Sequence, residues 1–238
     1  MVQTGEENPI FSEFDYLMEI LLEEGVVASL GDGMRPGCYH DAGRLAKATE
    51  YLTLGMQAKR ALDLGVQRMI EVPGHIPLAQ VSHNIRMIKE LTGNAPLYLL
   101  GPLVTDIASG YDHVAAAIGG AVACMDGADF LCMVSPSEHL ALPNVEEIIE
   151  GTRVCRIAAH VGDTVRKTGK DRSERELAMA MARKDLDWER QFETALYGDA
   201  ARRIHGRDGD METCSMCGDL CAVKMVRDLL EAGGKKEE

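Results

Sequence analysis

Basic residues are too few in this sequence to form a surface for nucleic acid. The 238 residues include 25 Lys and Arg against 38 Asp and Glu, a formal net charge of −13. Phosphate backbones bind to clustered basic side chains, so we expect no nucleic-acid partner. Long apolar runs are also lacking, since none approaches the about 18 residues that a membrane-spanning helix needs. We therefore expect no membrane partner.

A secretory leader and an even number of cysteines are lacking too. The chain begins MVQTGEENPI, without a charged segment followed by an apolar one, and it contains 7 Cys, an odd count. Secreted disulfide proteins usually show both features. The sequence therefore predicts reduced thiols and a cytoplasmic location. Four isolated cysteines are interpreted as buried or incidental thiols: Cys38, Cys124, Cys132 and Cys155.

Short apolar runs predict four strands separated by helices. Strands are expected at 26–30, 66–72, 97–101 and 129–134, and helices at about 41–64, 78–91 and 112–124. This βα alternation indicates an α/β fold with parallel strands. A closed (βα)8 barrel needs eight strands. The pattern alone therefore leaves two interpretations open, an open doubly wound sheet or half of a larger fold.

Helix signals replace strand signals after residue 140. Asn144 and Glu147 form a capping-box pattern at the start of a helix that runs to about residue 167. A break is expected at 169–170. Ser173 with Glu176 predicts the start of another long helix, and 223–232 is expected to be a short amphipathic helix.

These patterns divide the chain into three predicted parts. Residues 1–142 form a partial (βα) barrel and residues 143–200 a helical segment. A polar stretch at 198–212 leads into the third part, a cysteine-rich tail at 201–238.

Polar or special residues follow each of the four predicted strands. In chain order they are Asp32, Gly33 and Arg35; Glu71 and His75; Tyr98, Gly101 and Asp106; and Ser135, Glu138 and His139. The reactive residues of parallel barrels lie at the carboxyl ends of the strands. Any one of these residues is equally well explained as a helix cap or loop residue, but four successive strands ending this way favour a functional site.

Three cysteines occupy a short run near the end of the chain. Cys214, Cys217 and Cys221 lie within eight residues. Three thiolates suit three corners of one iron–sulfur cluster and leave the fourth iron open to a small molecule. A structural zinc site is the alternative, with His205 or Asp219 as the fourth ligand. The residues alone leave both interpretations open.

Six further motifs occur in a fixed order along the chain. They are GDGMRPG (31–37), EVPGHIP (71–77), LGPLVTDIASGYDH (100–113), SPSEHLALP (135–143), RIAAHVGD (156–163) and CSMCG (214–218). Together they resemble the C-terminal half of the phosphomethylpyrimidine synthase family, the radical S-adenosylmethionine lyases of thiamine biosynthesis. The related hydroxybenzimidazole synthases of anaerobic cobamide biosynthesis share these motifs and start from the same substrate, aminoimidazole ribotide.

The resemblance implies a fold, cofactors and partners. The fold is the C-terminal half of a TIM-like (βα)8 barrel, followed by a helical segment and a cysteine-rich iron–sulfur tail. The implied cofactors are a 4Fe–4S cluster, S-adenosylmethionine, and zinc or another divalent metal. The implied substrate is aminoimidazole ribotide, and the implied assembly is a homodimer.

The resemblance also implies roles for individual residues. The substrate-contacting positions are Asp32, Gly33, Met34, Arg35, Glu71 and Tyr98. Among these, Asp32 and Glu71 are the expected catalytic residues, because carboxylates accept hydrogen bonds and shuttle protons. His75 and His139 match the two divalent-metal ligands. The cluster ligands are Cys214, Cys217 and Cys221.

Several positions depart from the family pattern. Three residues instead of four separate Cys217 from Cys221, Val72 replaces a glycine, Ser109 replaces a proline, and 43–45 do not match. The first half of the family sequence is missing. The chain is therefore expected to be a fragment, a truncated product or one half of a split enzyme that needs a separate N-terminal half. The alternatives are a benzimidazole-forming paralogue and a non-catalytic metal-binding fragment.

Overall fold

The chain divides into two compact units in the computed structural model, which describes residues 2–166, 170–209 and 212–234. The first unit is Met1–Arg166 and the second is Lys167–Glu238. The three-part division predicted from the sequence stays a prediction.

A four-stranded parallel sheet forms the centre of the first unit. Its strands are β1 (Ala28–Gly31), β2 (Arg68–Glu71), β3 (Leu97–Leu100) and β4 (Phe130–Cys132), in the spatial order β1-β2-β3-β4. All four predicted strands are confirmed, although each is shorter than its apolar run. The α/β class with a parallel sheet is therefore confirmed, and closure into a barrel stays a prediction.

Helices precede, connect and follow these strands. They are α1 (Pro9–Ser12), α2 (Phe14–Glu23), α3 (Leu45–Asp63), α4 (Leu78–Leu91), α5 (Asp112–Asp126) and α6 (Val145–Val165). The predicted capping box begins α6. Asn144 Oδ1 accepts from the Glu147 backbone N–H at 2.9 Å, and Glu147 Oε2 accepts from the Asn144 N–H at 2.8 Å.

The helices bury one face of the sheet. Ile70 and Leu99 on that face are fully buried and share a core with Tyr51 of α3 and Ile85 of α4. On the opposite face Phe130 remains 54% exposed. The alternation of side chains along each strand explains this difference. The site residues lie at the carboxyl edge of the same sheet.

The second unit is helical and differs from prediction at two places. Its helices are α7 (Lys170–Lys184), α8 (Trp188–Thr194), α9 (Gly198–His205) and α10 (Ala222–Gly234). Ser173 was predicted to cap a helix, which is wrong because α7 already begins at Lys170. The expected break at 169–170 falls partly outside the described residues.

The predicted single long helix is in fact two helices. Leu186 has a φ of 55°, which ends α7, and the Asp187 side chain then caps α8 by accepting from the Arg190 N–H at 3.0 Å. Part of the polar stretch 198–212 also forms a helix, α9, whereas the predicted amphipathic helix at 223–232 is confirmed as α10. Across the described ranges, no helix combines the length and apolar character needed to cross a membrane.

Candidate active site

The parallel strands bring the predicted substrate residues to one edge of the first unit. Asp32 follows β1, Glu71 ends β2, and Tyr98 lies in β3. The strand register pairs Gly31 with Glu71 and Glu71 with Tyr98. A Cβ atom on Gly31 would lie 2.5 Å from the Glu71 carbonyl oxygen, so only glycine permits the close approach of these strands.

Arg35 lies between two carboxylates in this edge. Its Nη1 is 3.2 Å from Glu71 Oε1 and 3.5 Å from Asp32 Oδ2. A Cβ atom on Gly74 would lie 2.4 Å from Arg35 Cγ, so glycine gives the arginine stem its path. The neighbouring Met34 N–H donates to Glu50 Oε1 at 2.7 Å. These contacts give the GDGMR segment a defined position between β1 and β2.

Asp32 titrates near neutral pH in this setting. Burial raises its pKa to about 6, the charge of Arg35 acts against the rise, and the charges of Glu71 and Glu50 add to it. A carboxyl group that titrates close to the working pH is suited to hold or release a proton. The position of Asp32 therefore fits acid–base chemistry as well as substrate binding.

Three polar residues of α3 were not predicted from the sequence, namely Lys47, Glu50 and Tyr51. Lys47 and Tyr51 are 4% and 1% exposed, and burial lowers the pKa of Lys47 to about 8 despite the opposing charge of Glu50. Within the described ranges, Lys47 Nζ, Tyr51 Oη and Asp32 Oδ2 are buried without a hydrogen-bond partner. A signal existed, because Lys47 begins the buried stripe of α3 that continues through Tyr51 and Leu54.

The two predicted metal histidines lie side by side. The ring centroids of His75 and His139 are 5.0 Å apart. His75 Nδ1 is 2.8 Å from Asp106 Oδ1, and His139 Nδ1 is 2.9 Å from Asp112 Oδ2. His75 is buried, whereas the side chain of His139 is half exposed. The two histidines come from the loops after β2 and β4. Because the strands are parallel, both loops lie at the carboxyl edge of the sheet, on either side of β3.

The two Asp–His contacts determine which ring nitrogen is available. Each carboxylate accepts from Nδ1–H, which leaves the Nε2 lone pair free to bind a metal. No group of three or more His, Cys, Asp or Glu side chains in the described ranges is arranged to hold a metal ion. The donor set in the described residues is thus two oriented imidazoles, one fewer than the three protein ligands usual at a catalytic zinc, so water, substrate or a further residue would have to complete the coordination.

Tyr98 contacts a thiol on the neighbouring strand. A hydrogen bond to Cys132 and burial raise the pKa of Tyr98, so its hydroxyl stays protonated at neutral pH. The interpretation of Cys132 as a buried or incidental thiol stays a prediction, and the structure describes this thiol as free and partly buried.

The three cysteines of the tail lie on a tight turn in the second unit. The Gly218 N–H donates to the Cys214 carbonyl at 3.0 Å, Gly218 has a φ of 51°, and α10 begins directly after Cys221. All three thiols are free. Free thiols on one turn have the right donor chemistry for an iron–sulfur cluster. They are not gathered into a three-ligand group in the described structure.

His205, a candidate fourth zinc ligand, packs against an aromatic ring. Its ring centroid is 3.9 Å from that of Trp188, and the two planes are 24° apart. Trp188 Nε1 donates to the Glu212 carbonyl at 2.9 Å. This stack gives His205 a packing role within the second unit.

Comparison with known proteins gives a consistent result over almost the whole chain. A family model described as the Radical SAM ThiC family matches residues 1–228. The chain is 54% identical to the phosphomethylpyrimidine synthase of Archaeoglobus fulgidus, over 97% of this chain and 55% of that protein. It is also 54% identical to phosphomethylpyrimidine synthase 2 of Methanosarcina barkeri, over 100% of this chain and 56% of that protein. The chain therefore spans about half the length of the curated relatives it matches.

Proposed function

The chain belongs to the Radical SAM ThiC family, and we propose that it contributes part of a lyase that converts aminoimidazole ribotide to hydroxymethylpyrimidine phosphate. Its contribution is the substrate loop, residues 32–41, and the metal ligands. The observation that carries this proposal is the presence at one sheet edge of the Arg35–Asp32–Glu71 group and the His75–His139 pair. Family membership implies S-adenosylmethionine and an iron–sulfur cluster as cofactors.

We propose further that an N-terminal half completes the pocket, on the same or on a separate chain. The support for this is the length of the relatives, of which the chain spans about half. Within the described residues, β1 and β4 are the two ends of the strand order, where further strands could be added. In the proposal the complete enzyme is a cytoplasmic homodimer.

Arg35 is the proposed anchor for the ribotide. A guanidinium carries five N–H donors, and the contacts with Asp32 and Glu71 use Nη1 alone. The remaining donors form a fork that suits a phosphate or a polarised oxygen. Tyr98 is the second proposed donor toward the substrate. Unlike the charged Arg35, it donates from a neutral, protonated hydroxyl.

Asp32 and Glu71 are the proposed proton-transfer residues. Near pH 6, a fraction of the Asp32 side chains is protonated. The carboxylate of Glu71 is in direct contact with the positive charge of Arg35. Two carboxyl groups with different surroundings can act as acid and base in one pocket. They can also accept hydrogen bonds from ribose hydroxyls and from the exocyclic amine.

His75 and His139 are the proposed ligands of zinc or another divalent ion, and Cys214, Cys217 and Cys221 those of a 4Fe–4S cluster. When bound, the reduced cluster and S-adenosylmethionine supply the radical that starts the reaction. The chain's own part is to orient both imidazoles through Asp106 and Asp112 and to hold the substrate against them.

An anaerobic turnover assay tests this function. The reconstituted chain is incubated with aminoimidazole ribotide, S-adenosylmethionine and a reductant, alone and with the N-terminal half of the A. fulgidus relative. We expect pyrimidine phosphate and deoxyadenosine by mass spectrometry in at least the second mixture. Glu71→Gln is the matched control, because it keeps the side-chain shape and removes the charge.

Each other outcome of the assay identifies an alternative. A benzimidazole product would identify the chain as the cobamide paralogue. Iron in the tail without cleavage of S-adenosylmethionine, in both mixtures, would identify a non-catalytic metal-binding fragment. Stoichiometric zinc at the cysteines without labile sulfide would identify a structural zinc site.

A further inference from the structure

We propose that Asp106 is a positioning residue that couples the two-histidine metal site to the substrate loop, here defined as residues 32–41. This inference rests on the proposed function, because it takes His75 and His139 as metal ligands and Asp32 and Arg35 as substrate contacts. Its consequence is that a bound divalent metal orders the loop and that an ordered loop tightens the metal site.

One carboxylate makes both connections. Asp106 Oδ1 is 2.8 Å from His75 Nδ1, and Asp106 Oδ2 accepts from the backbone N–H of Tyr39 at 2.6 Å. Tyr39 lies in the substrate loop, 67 residues before Asp106 in the chain. The carboxylate is rigid and planar, so the direction of one oxygen fixes the direction of the other.

The same histidine holds the loop at a second point. The His75 backbone N–H donates to the Pro36 carbonyl at 3.2 Å. Next to it, Gly74 lies directly under the Arg35 side chain, where a Cβ atom would come within 2.4 Å of Arg35 Cγ. The loop is therefore attached to the His75 segment at Arg35 and Pro36 and, through Asp106, at Tyr39.

Metal binding strengthens this arrangement, because it removes the competing imidazole tautomer. Neutral imidazole places its proton on Nδ1 or on Nε2, and only the Nδ1–H tautomer can donate to Asp106. A metal on Nε2 selects that tautomer. The Asp106 carboxylate is then held in the orientation that accepts from Tyr39. Because coupling between two sites is reciprocal, loop order must strengthen metal binding by the same factor.

Asp112 provides an internal control. It orients His139 at 2.9 Å, as Asp106 orients His75, but it lies in the first turn of α5. Among its contacts in the described structure, none joins it to the substrate loop. Asp106→Asn and Asp112→Asn should both weaken metal binding about 10–100-fold, the usual effect of losing a carboxylate behind a metal histidine. Only Asp106→Asn should uncouple the loop, because an amide has one oxygen for two donors.

Hydrogen exchange of the full chain, with and without saturating Zn²⁺, tests the coupling. In the wild type and in Asp112→Asn we expect Zn²⁺ to slow exchange of the Tyr39 amide about 5-fold or more, the lower end of ordinary coupling. In Asp106→Asn we expect no slowing. The double variant His75→Ala/His139→Ala keeps the cysteines, so it shows any effect of zinc bound to the tail.

A further variant keeps the test decisive if Asp106→Asn does not fold. Tyr39→Pro removes the loop N–H donor together with the exposed Tyr39 ring, which contacts only the neighbouring His40 ring among the ring contacts of the described residues. Proline suits the first position of the short 3₁₀ turn Tyr39–Asp41, because Cys38 before it is extended. We expect Tyr39→Pro to bind Zn²⁺ and to show no zinc-dependent protection of the substrate loop.

The outcomes separate the inference from the function on which it rests. If the wild type binds no Zn²⁺ through the two histidines, the proposed metal site is wrong. If it binds Zn²⁺ there but exchange in the substrate loop does not change, the metal site stands and the coupling is overturned. Equal zinc-dependent protection of the other amides of the substrate loop in the wild type and in Tyr39→Pro, which has no amide at position 39, would also overturn the coupling.

Discussion

The histidine pair of the first unit and the cysteine run of the second are built on different principles. Each histidine is oriented by a carboxylate, and the two ring centroids are 5.0 Å apart with their planes tilted by 56°. The cysteines are free and lie on one turn, but they form no three-ligand group in the described residues.

The two sites differ in the charge of their ligands, which decides whether protein groups alone can hold those ligands together. Imidazole rings are neutral and can be held by hydrogen bonds at little cost, so the ligand-free protein can preform their site. Three thiolates brought together would repel one another without the metal charge that they bind. We therefore expect carboxylates to hold the two histidines in place and the cluster itself to hold the three cysteines together.

The largest expected effect comes from the cysteine run. Cys217→Ala should abolish cluster assembly, because the remaining two thiols cannot hold the cluster. Iron and acid-labile sulfide after anaerobic reconstitution measure the loss, and Cys38→Ala is the matched control outside the run. Unchanged iron and sulfide in Cys217→Ala would contradict the assignment of the cluster ligands.

Loss of one histidine should abolish metal binding at the pair and leave the cluster intact. His75→Ala should weaken Zn²⁺ binding by more than the about 10–100-fold expected for loss of a carboxylate that orients a metal-binding histidine. Zinc competition against a chromophoric chelator measures this affinity. The exposed His83 on α4 is the control, and an equal loss in His83→Ala would show that the effect is not specific to the pair.

Asp32→Asn should show how much the buried, ionised Asp32 carboxylate lowers the free energy of unfolding. Burial raises the Asp32 pKa from 3.8 to about 6, so the folded state binds the proton more tightly than the unfolded state. The stability from this proton is present below pH 4 and is lost as pH rises through about 6. Asp32→Asn should therefore be more stable than the wild type at pH 8, by about 2–3 kcal/mol, and nearly equal at pH 4.

Urea unfolding at the two pH values checks this prediction. The comparison of the two variants at each pH removes the contributions of other titrating groups. A stability difference between Asp32→Asn and the wild type that is the same at pH 4 and pH 8 would show that Asp32 has an ordinary pKa.

The smallest expected effects come from two helix caps, one in each unit. Asn144 caps α6 and Asp187 caps α8. Replacement of either cap by Ala should cost about 0.5–2 kcal/mol. If the units unfold independently, Asn144→Ala should affect only the transition of the first unit and Asp187→Ala only that of the second. Loss of both transitions together in either variant would show that the units unfold as one.

Elements with strong local signals were predictable from the sequence. The helix Leu78–Leu91 and the capping box at Asn144 both appear where their patterns place them. The start at Ser173 was wrong because a Ser-x-x-Glu pattern also occurs inside a helix, where the hydroxyl is not needed as a cap. The split at Leu186–Asp187 was missed because the apolar stripe continued across it.

Site residues with strand-end positions were predictable, whereas their partners were not. Asp106 and Asp112 are 31 and 27 residues from the histidines that they orient, so only the strand order reveals the pairs. Glu50 and Lys47 were not predicted because burial of Lys47 and the action of the Glu50 charge on Asp32 and Lys47 arise only in the folded chain. The order of motifs gave the family, which the comparisons confirm.

Zinc-edge X-ray absorption of the chain tests the contrast between the two sites most directly. The chain is first reconstituted with iron and sulfide and then given one equivalent of Zn²⁺. We expect nitrogen and oxygen neighbours with the signature of imidazole, and loss of that signature in His75→Ala/His139→Ala. A shell of sulfur neighbours around zinc would contradict the account, because it would make the cysteine run the zinc site.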